Sequence, residues 1–346
     1  MNFRNEFAKM IEDIKLGPDT PKEEFDRTFS PLMRFINNNL PERLFKFRAC
    51  TEYSLDAFEK DELWLSKASL FNDLHDSLFF FDKTGILDSI EAMFSSGEAL
   101  SMIKSIAQSQ ISNPVMRELI DRILASFDAQ RLNDIALQSM PSFNVFLDQC
   151  FRTAKDGIRE NTKMVCLSES IKSPLMWAHY ADNNKGFALG YDFRNTEISQ
   201  CSNCPNRSCG DIKLATIYPV IYSDKRFDAT SFGQWHVLQY LNAQMGLPTE
   251  RTYSDSFLFV KAALHKSNDW AYENEWRITC STPNQLMESK DRYPIKKRPM
   301  AIYFGRQIPD IYRKMLMHIA DEKGIARYQM YVKDYSAKYE LDFEPV

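Results

Sequence analysis

Glycine is scarce in this chain, with 11 in 346 residues. A phosphate loop needs glycine where the backbone closes on an anion, and neither GxGxxG nor GxxxxGK[ST] occurs. The common glycine-rich nucleotide cradles are thereby excluded. No run of about 18 apolar residues exists, so no membrane span is expected. No apolar stretch follows Met1-Asn2-Phe3-Arg4, so no signal peptide is expected. An excess of positive charge is also missing: Lys and Arg number 43 against 47 Asp and Glu, for a net charge of −4. That argues against wholesale nucleic-acid binding through a basic surface and leaves only a local basic cleft. The seven cysteines are odd in number and mostly scattered. With no export signal they read as reduced thiols of a cytoplasmic protein.

What the chain does have is apolar mass. Hydrophobic residues make up 44%, including 25 Phe, enough for one large domain with an insertion or for two domains. The expected fold is α+β: a mixed sheet of short strands, N-terminal helices and a central helical insertion. Residues 1–40 read as N-terminal helices (3–15 and 22–39), with Leu32, Phe35 and Ile36 as the apolar stripe and Pro41 ending it. Residues 41–85 and 161–346 form the α+β core, and 86–160 the insertion. Within the insertion Met116, Ile120, Ile123, Leu124 and Phe127 have helical spacing. Strands are expected at 44–48, 63–66, 164–168, 186–192, 216–222, 275–280, 300–304 and 328–332. Helices are expected at 54–60 with Ser54 as cap, 174–181, 234–245, 254–267 and 309–323.

One phrase stands out: Glu273-Asn274-Glu275-Trp276-Arg277-Ile278-Thr279. In a strand, residues i and i+2 share a face, so Glu273 and Glu275 are expected to point the same way. Two carboxylates that close disfavour ionising together, and one pKa rises. Such pairs move protons or stabilise cations. Asn72, Asp73 and Asp76 are oxygen donors within five residues, suited to a divalent cation or, more simply, to a polar turn that anchors Arg48. Cys201-x2-Cys204-x4-Cys209 has the first part of a zinc-knuckle spacing, without a fourth ligand nearby. The two readings are structural zinc, completed by Cys166 or Cys280, and a loop of free thiols.

Four phrases occur in order: Phe45-Lys46-Phe47-Arg48; Phe71-Asn72-Asp73 with Asp76; Met176-Trp177-Ala178-His179-Tyr180-Ala181-Asp182 with Lys185-Gly186; and Trp270-Ala271-Tyr272-Glu273-Asn274-Glu275-Trp276-Arg277. Together they resemble a widespread bacterial family known only as a domain of unknown function, over about 44–80 and 164–305. The sequence departs from that pattern at Leu74, where the family has Pro, and at Asn184, where it has His. The resemblance implies nothing about chemistry.

A second resemblance does. Arg48 ends the first strand, Ser168-Glu169-Ser170 follows a middle strand, and Glu273-Asn274-Glu275 leads a later one. That order is similar to ADP-ribosyltransferases of the arginine–serine–glutamate type. It implies NAD as substrate, with Arg48 on the pyrophosphate and Ser168 or Ser170 on the nicotinamide ribose. Glu275 would hold the ribose 2′-hydroxyl and stabilise the oxocarbenium-like state, and Glu273 would activate the acceptor. Trp177 and Tyr180 would wall a pocket for the ring, and His179 is the histidine in the densest polar phrase. The implied function is an NAD-dependent ADP-ribosyltransferase or NAD glycohydrolase, in the bacterial cytosol, as a toxic effector against phage. The acceptor would be a protein or nucleic acid, and the 86–160 block offers a surface for a protein partner.

Plain readings stand beside these. Arg48 closes an ion pair with Asp73 or Asp76; Ser168 and Ser170 cap a turn; the two glutamates pair with Arg277 and Lys266 at the surface; Trp177 packs the core. Two rival functions remain: a nuclease or nucleic-acid-binding module with Asp73, Asp76, Glu273 and Glu275 on Mg²⁺, and a non-enzymatic ligand sensor.

Overall fold

The computed structural model describes residues 3–17, 19–98, 101, 105, 114–125, 129–194, 216–244, 248–250, 252–280 and 292–346. The proposed zinc ligands Cys201, Cys204 and Cys209 lie outside them. The chain divides into two compact units. One comprises Met1–Leu78, Gly157–Phe227 and Ser254–Val346; the other comprises Phe79–Asp156 and Asp228–Tyr253.

The second unit is mainly helical, with helices Lys83–Ser95, Pro114–Ala125, Ala129–Asn161 (up to Asp156) and Thr230–Gln244. Its apolar cluster includes Ile86, Ile90, Phe143, Leu147 and Val237. Asp82 caps the first of these helices, accepting from the Gly85 amide at 2.9 Å.

The first unit carries the sheet. Its strands are β1 (Leu44–Arg48), β2 (Glu62–Lys67), β3 (Lys163–Ser168), β4 (Phe187–Tyr191), β5 (Thr216–Pro219), β6 (Ile221–Ser223), β7 (His265–Ser267), β8 (Glu275–Cys280), β9 (Arg292–Lys296), β10 (Ala301–Phe304), β11 (Ala326–Val332) and β12 (Leu341–Pro345). Ten of them make one mixed sheet, and β6 and β7 form a separate parallel pair. Among the described residues, only the β10–β11 pair of the large sheet is parallel, with helix Asp310–Lys323 as the crossover between them. The fold is thus mixed α/β with a mixed sheet.

The sheet forks at β3. Along one edge β3 pairs β8 over its whole length, from Glu275↔Ser168 to Cys280↔Lys163. Along the other it pairs β1 only at Phe45↔Ser168, and β2 only at Ser66↔Met164 and Lys67↔Lys163. Beyond the fork β2 leads to β9, while β1 leads to β4, β10, β11 and β12. Side chains alternate between faces. Val165, Leu167, Trp276 and Ile278 pack one face with Phe7, Ile11, Leu32 and Ile36 of helices Phe3–Asp13 and Lys22–Asn39. Phe45, Phe47 and Tyr303 pack the other with Met176 and Trp177 of helix Pro174–Tyr180.

Three local expectations are corrected. The cap of helix Glu52–Glu59 is Thr51, whose hydroxyl accepts from the Ser54 amide; Ser54 lies inside the helix. The strand expected over 216–222 breaks into β5 and β6. The helix expected over 254–267 is only Leu258–Leu264, because His265–Ser267 pairs with β6 as β7.

Gly186 precedes β4 where it meets the end of β1. A Cβ there would stand 2.1 Å from the Arg48 carbonyl oxygen and 3.0 Å from that of Ala181. Both obstacles are backbone, so neither yields cheaply. Gly186→Ala is expected to lower stability by about 3 kcal/mol, the range of core overpacking. A urea unfolding midpoint unchanged from wild type would refute this account of the β1–β4 junction.

Candidate functional site

The Glu-Asn-Glu phrase does not lie wholly on a strand. Asn268–Glu273 is a 3-10 turn, and Asn274 follows with φ 43°, the left-handed conformation that Asn tolerates. β8 starts only at Glu275. The two carboxylates do converge, but through the kink at Asn274 rather than through strand alternation. Both meet one ammonium. Lys266 Nζ, from β7, donates to Glu273 Oε2 at 2.5 Å and to Glu275 Oε2 at 3.2 Å.

Around this trio the groups are buried and paired. Arg277 is 0% exposed. Its Nε donates to Glu275 Oε1 at 2.8 Å, and its two terminal nitrogens donate to the Asp76 carboxylate at 2.8 and 2.6 Å. One terminal nitrogen also donates to the Ala263 carbonyl at 2.5 Å. Tyr180 OH donates to Glu273 Oε1 at 2.5 Å. Lys266 lies over the Trp270 ring at 4.7 Å. The expected partners of the glutamates are therefore the right ones, but the pairing is interior. Glu273 and Glu275 are each 3% exposed.

This arrangement splits the carboxylates. Burial, and then the charge of Glu275, push Glu273 up to about 7, against the opposing pull of Lys266 and Tyr180. Burial alone would raise Glu275 as well, but Arg277 and Lys266 hold it well below the usual carboxylate range. Lys266 stays charged: burial opposes this, but Glu275, Glu273 and Asp76 raise its pKa above that of an ordinary lysine. One carboxylate is thus ionised throughout, and its neighbour titrates near neutrality.

Asp76, Tyr180, Lys266, Glu273 and Glu275 form part of the wall of a cavity of about 120 Å³, with Arg277 behind them. Phe45, Phe47, Phe71 and Met176 make its apolar side; Ser168, Cys166 and Lys46 join the charged side. Ser168 is the register partner of both Phe45 and Glu275. Its Oγ donates to the Glu273 carbonyl at 2.6 Å and accepts from the Ser170 amide at 3.2 Å. Ser170 Oγ accepts from the Lys172 amide at 3.3 Å, so it closes the turn rather than facing the cavity.

Other expected residues fall elsewhere. Arg48 is not part of the cavity wall; it lies near Tyr191 and Arg292, with a buried Nε that has no hydrogen-bond partner. Asp76 is taken by Arg277, and Asp73 Oδ1 accepts from the His75 amide, so neither anchors Arg48. Trp177 is fully buried, donates from Nε1 to the Ile171 carbonyl at 2.7 Å and packs edge-on against Phe47. It is core, and Met176 and Tyr180 are the residues of its helix that reach the cavity. His179 is exposed beside Tyr180 and Tyr272, outside the cavity wall. Among the described residues no group of three or more His, Cys, Asp or Glu could hold a metal ion.

Two participants escaped the sequence reading. Lys46 donates to the Cys166 carbonyl at 3.0 Å, in the gap that β3 leaves between β1 and β2. Its one signal was a charged residue between two phenylalanines. Arg4 is the other. Its guanidinium donates to the carbonyls of Val220 and Glu275 at 2.8 and 2.9 Å and to the Glu169 carboxylate at 2.5 Å. Helix Phe3–Asp13 is thereby pinned to the start of β8, and nothing in Arg4's local sequence marks it.

A pH dependence follows. Glu273 titrates higher in the folded chain than unfolded, so its contribution to stability is complete below about pH 4.5 and is lost as pH rises through about 7. Glu273→Gln removes that dependence. Between pH 5 and pH 8 the wild type should lose more stability than Glu273→Gln, by on the order of 2 kcal/mol. Parallel losses in paired urea titrations would place the carboxylate pKa at its ordinary value.

Among the described residues, no helix is long and apolar enough to cross a membrane. No curated protein and no solved structure matches the chain. Residues 176–278 match the model of a protein family of unknown function, DUF2971. The match is narrower than the motif phrases suggested. It contains Tyr180, Lys266, Glu273, Glu275 and Arg277, and it leaves out Lys46, Asp76 and Ser168. A DUF2971 domain of unknown function is what this chain carries at residues 176–278.

Proposed function

We propose that the chain cleaves NAD at the bond between ribose and nicotinamide, releasing ADP-ribose or passing it to a protein or nucleic acid. The observation that carries this reading is the pair Glu273 and Glu275 at one cavity wall, one titrating near neutrality and one held ionised. Breaking a ribosyl C–N bond builds positive charge on the ribose. An ionised carboxylate in a low-dielectric wall stabilises that charge. The attacking hydroxyl must lose a proton, and a base near pKa 7 is suited to take it. Glu275 takes the first role and Glu273 the second.

The other residues follow from their contacts. Ser168 sets the Glu273 backbone beside Glu275 through its bond to the Glu273 carbonyl. Lys266 and Arg277 keep Glu275 ionised. The apolar wall of Phe45, Phe47 and Phe71 suits a planar base. Arg48 has no place in this cavity, and Lys46 of the same strand is the cation that does. A role in the cytosol as a toxic effector against phage rests on the sequence resemblance alone.

The metal-dependent nuclease reading is less well supported. Arg277 bridges Asp76 and Glu275, and Lys266 joins Glu275 and Glu273. Protein cations thus stand where Mg²⁺ would have to sit.

Nicotinamide release from NAD by purified protein tests the proposal. Wild type should release it with or without EDTA. Glu273→Gln, which keeps the side chain's shape, should reduce release by roughly 10²–10⁴-fold. No release from folded wild type, or equal release by both proteins, would overturn it.

A further inference from the structure

Among the described residues, Lys46 is the cation of the cavity wall that has no ion pair with a carboxylate. Lys266 and Arg277 are engaged by Asp76, Glu273 and Glu275 at 2.5–3.2 Å. Lys46 Nζ has only the Cys166 carbonyl among its described hydrogen-bond partners, and an ammonium has three N–H groups to give. The fork of the sheet explains the placement. β3 pairs β2 at Lys163 and Met164 and meets β1 only at Ser168, so the Cys166 carbonyl falls in the gap between and Lys46 fills it. The remaining donors belong to a residue of the cavity wall.

The cavity's size and charge restrict what those donors meet. About 120 Å³ is one ring's worth of space; an apolar cavity of roughly 150 Å³ takes benzene. Phe45, Phe47 and Phe71 supply faces and edges for such a ring. Above about pH 7, where Glu273 is ionised, Asp76, Glu273 and Glu275 balance Lys46, Lys266 and Arg277, three against three. A ligand carboxylate would leave this buried set with an uncompensated negative charge, whereas a neutral carbonyl would not.

We propose that Lys46 is the specificity-determining donor of this cavity, which takes a single planar six-membered ring bearing a neutral carboxamide. The inference rests on the reading of the cavity as the place where the nicotinamide bond breaks, because the nicotinamide that leaves, neutral once the C–N electron pair returns to the ring, is such a ring. Its test needs no catalysis.

The probes are benzamide and benzoate, with binding followed by ligand-observed NMR on the full chain above pH 7, where Glu273 is ionised. Benzamide should bind saturably with affinity on the order of millimolar, and benzoate at least tenfold more weakly. Lys46→Met keeps the length and removes the donor; it should weaken benzamide roughly tenfold, the worth of one charged hydrogen bond. A second measurement avoids substitution: benzamide should slow acetylation of Lys46 by acetic anhydride in wild type, read by mass spectrometry. Equal binding of benzamide and benzoate, wild-type affinity in folded Lys46→Met, or no protection of Lys46 would each overturn the assignment. If benzamide binds through Lys46 while NAD yields no nicotinamide, the ring site stands and the NAD reading falls. If nicotinamide is released while benzamide ignores Lys46, the reverse holds.

Discussion

A fully buried guanidinium is tolerable only when its donors are taken, and Arg277 meets that condition with Asp76, Glu275 and the Ala263 carbonyl. The carboxylate network of the site depends on that constraint. Asp76 brings in the 71–78 loop, Ala263 brings in the helix before β7, and Glu275 starts β8. Lys266 then joins the network from β7 and carries it to Glu273. Removing any one partner would strand the others in a low-dielectric interior, where an uncompensated charge is heavily penalised.

The network also determines protonation. Two cations surround Glu275, whereas Glu273 has Lys266 and the Tyr180 hydroxyl. One residue of spacing and one left-handed Asn therefore give the two carboxylates opposite behaviour. This is how a single phrase of sequence supplies both a standing negative charge and a group able to exchange a proton near neutral pH.

The forked sheet gives the site its shape. β3 divides its free edge between β1 and β2, and the gap admits Lys46. On the opposite face of the sheet the N-terminal helix reaches β8 through Arg4, which clamps the Glu275 carbonyl from behind. The Glu275 amide donates to the Tyr222 hydroxyl at 2.8 Å. The peptide that carries the ionised carboxylate is thus held on both sides, a support that the candidate residues alone do not reveal.

Much of the secondary structure was legible in the sequence, because periodicity and end signals are local. Helix 22–39 and strands 44–48 and 275–280 coincide with expectation, and Glu273-Asn274-Glu275 was recognisable as a carboxylate pair. Thr51 against Ser54 shows the limit even there, since either hydroxyl fits a helix start and only the backbone geometry chooses. Which cation meets which carboxylate was not legible. Arg277 and Asp76 lie 201 positions apart, and their pairing displaced the expected partnership of Asp76 with Arg48. Nor did the strand's own sequence choose Lys46 over Arg48 for the cavity; the fork did. The sequence by itself determined the elements and the chemical groups available. Tertiary structure decided which groups lose their water together, and that shared desolvation sets their charge, their partners and what the site can do.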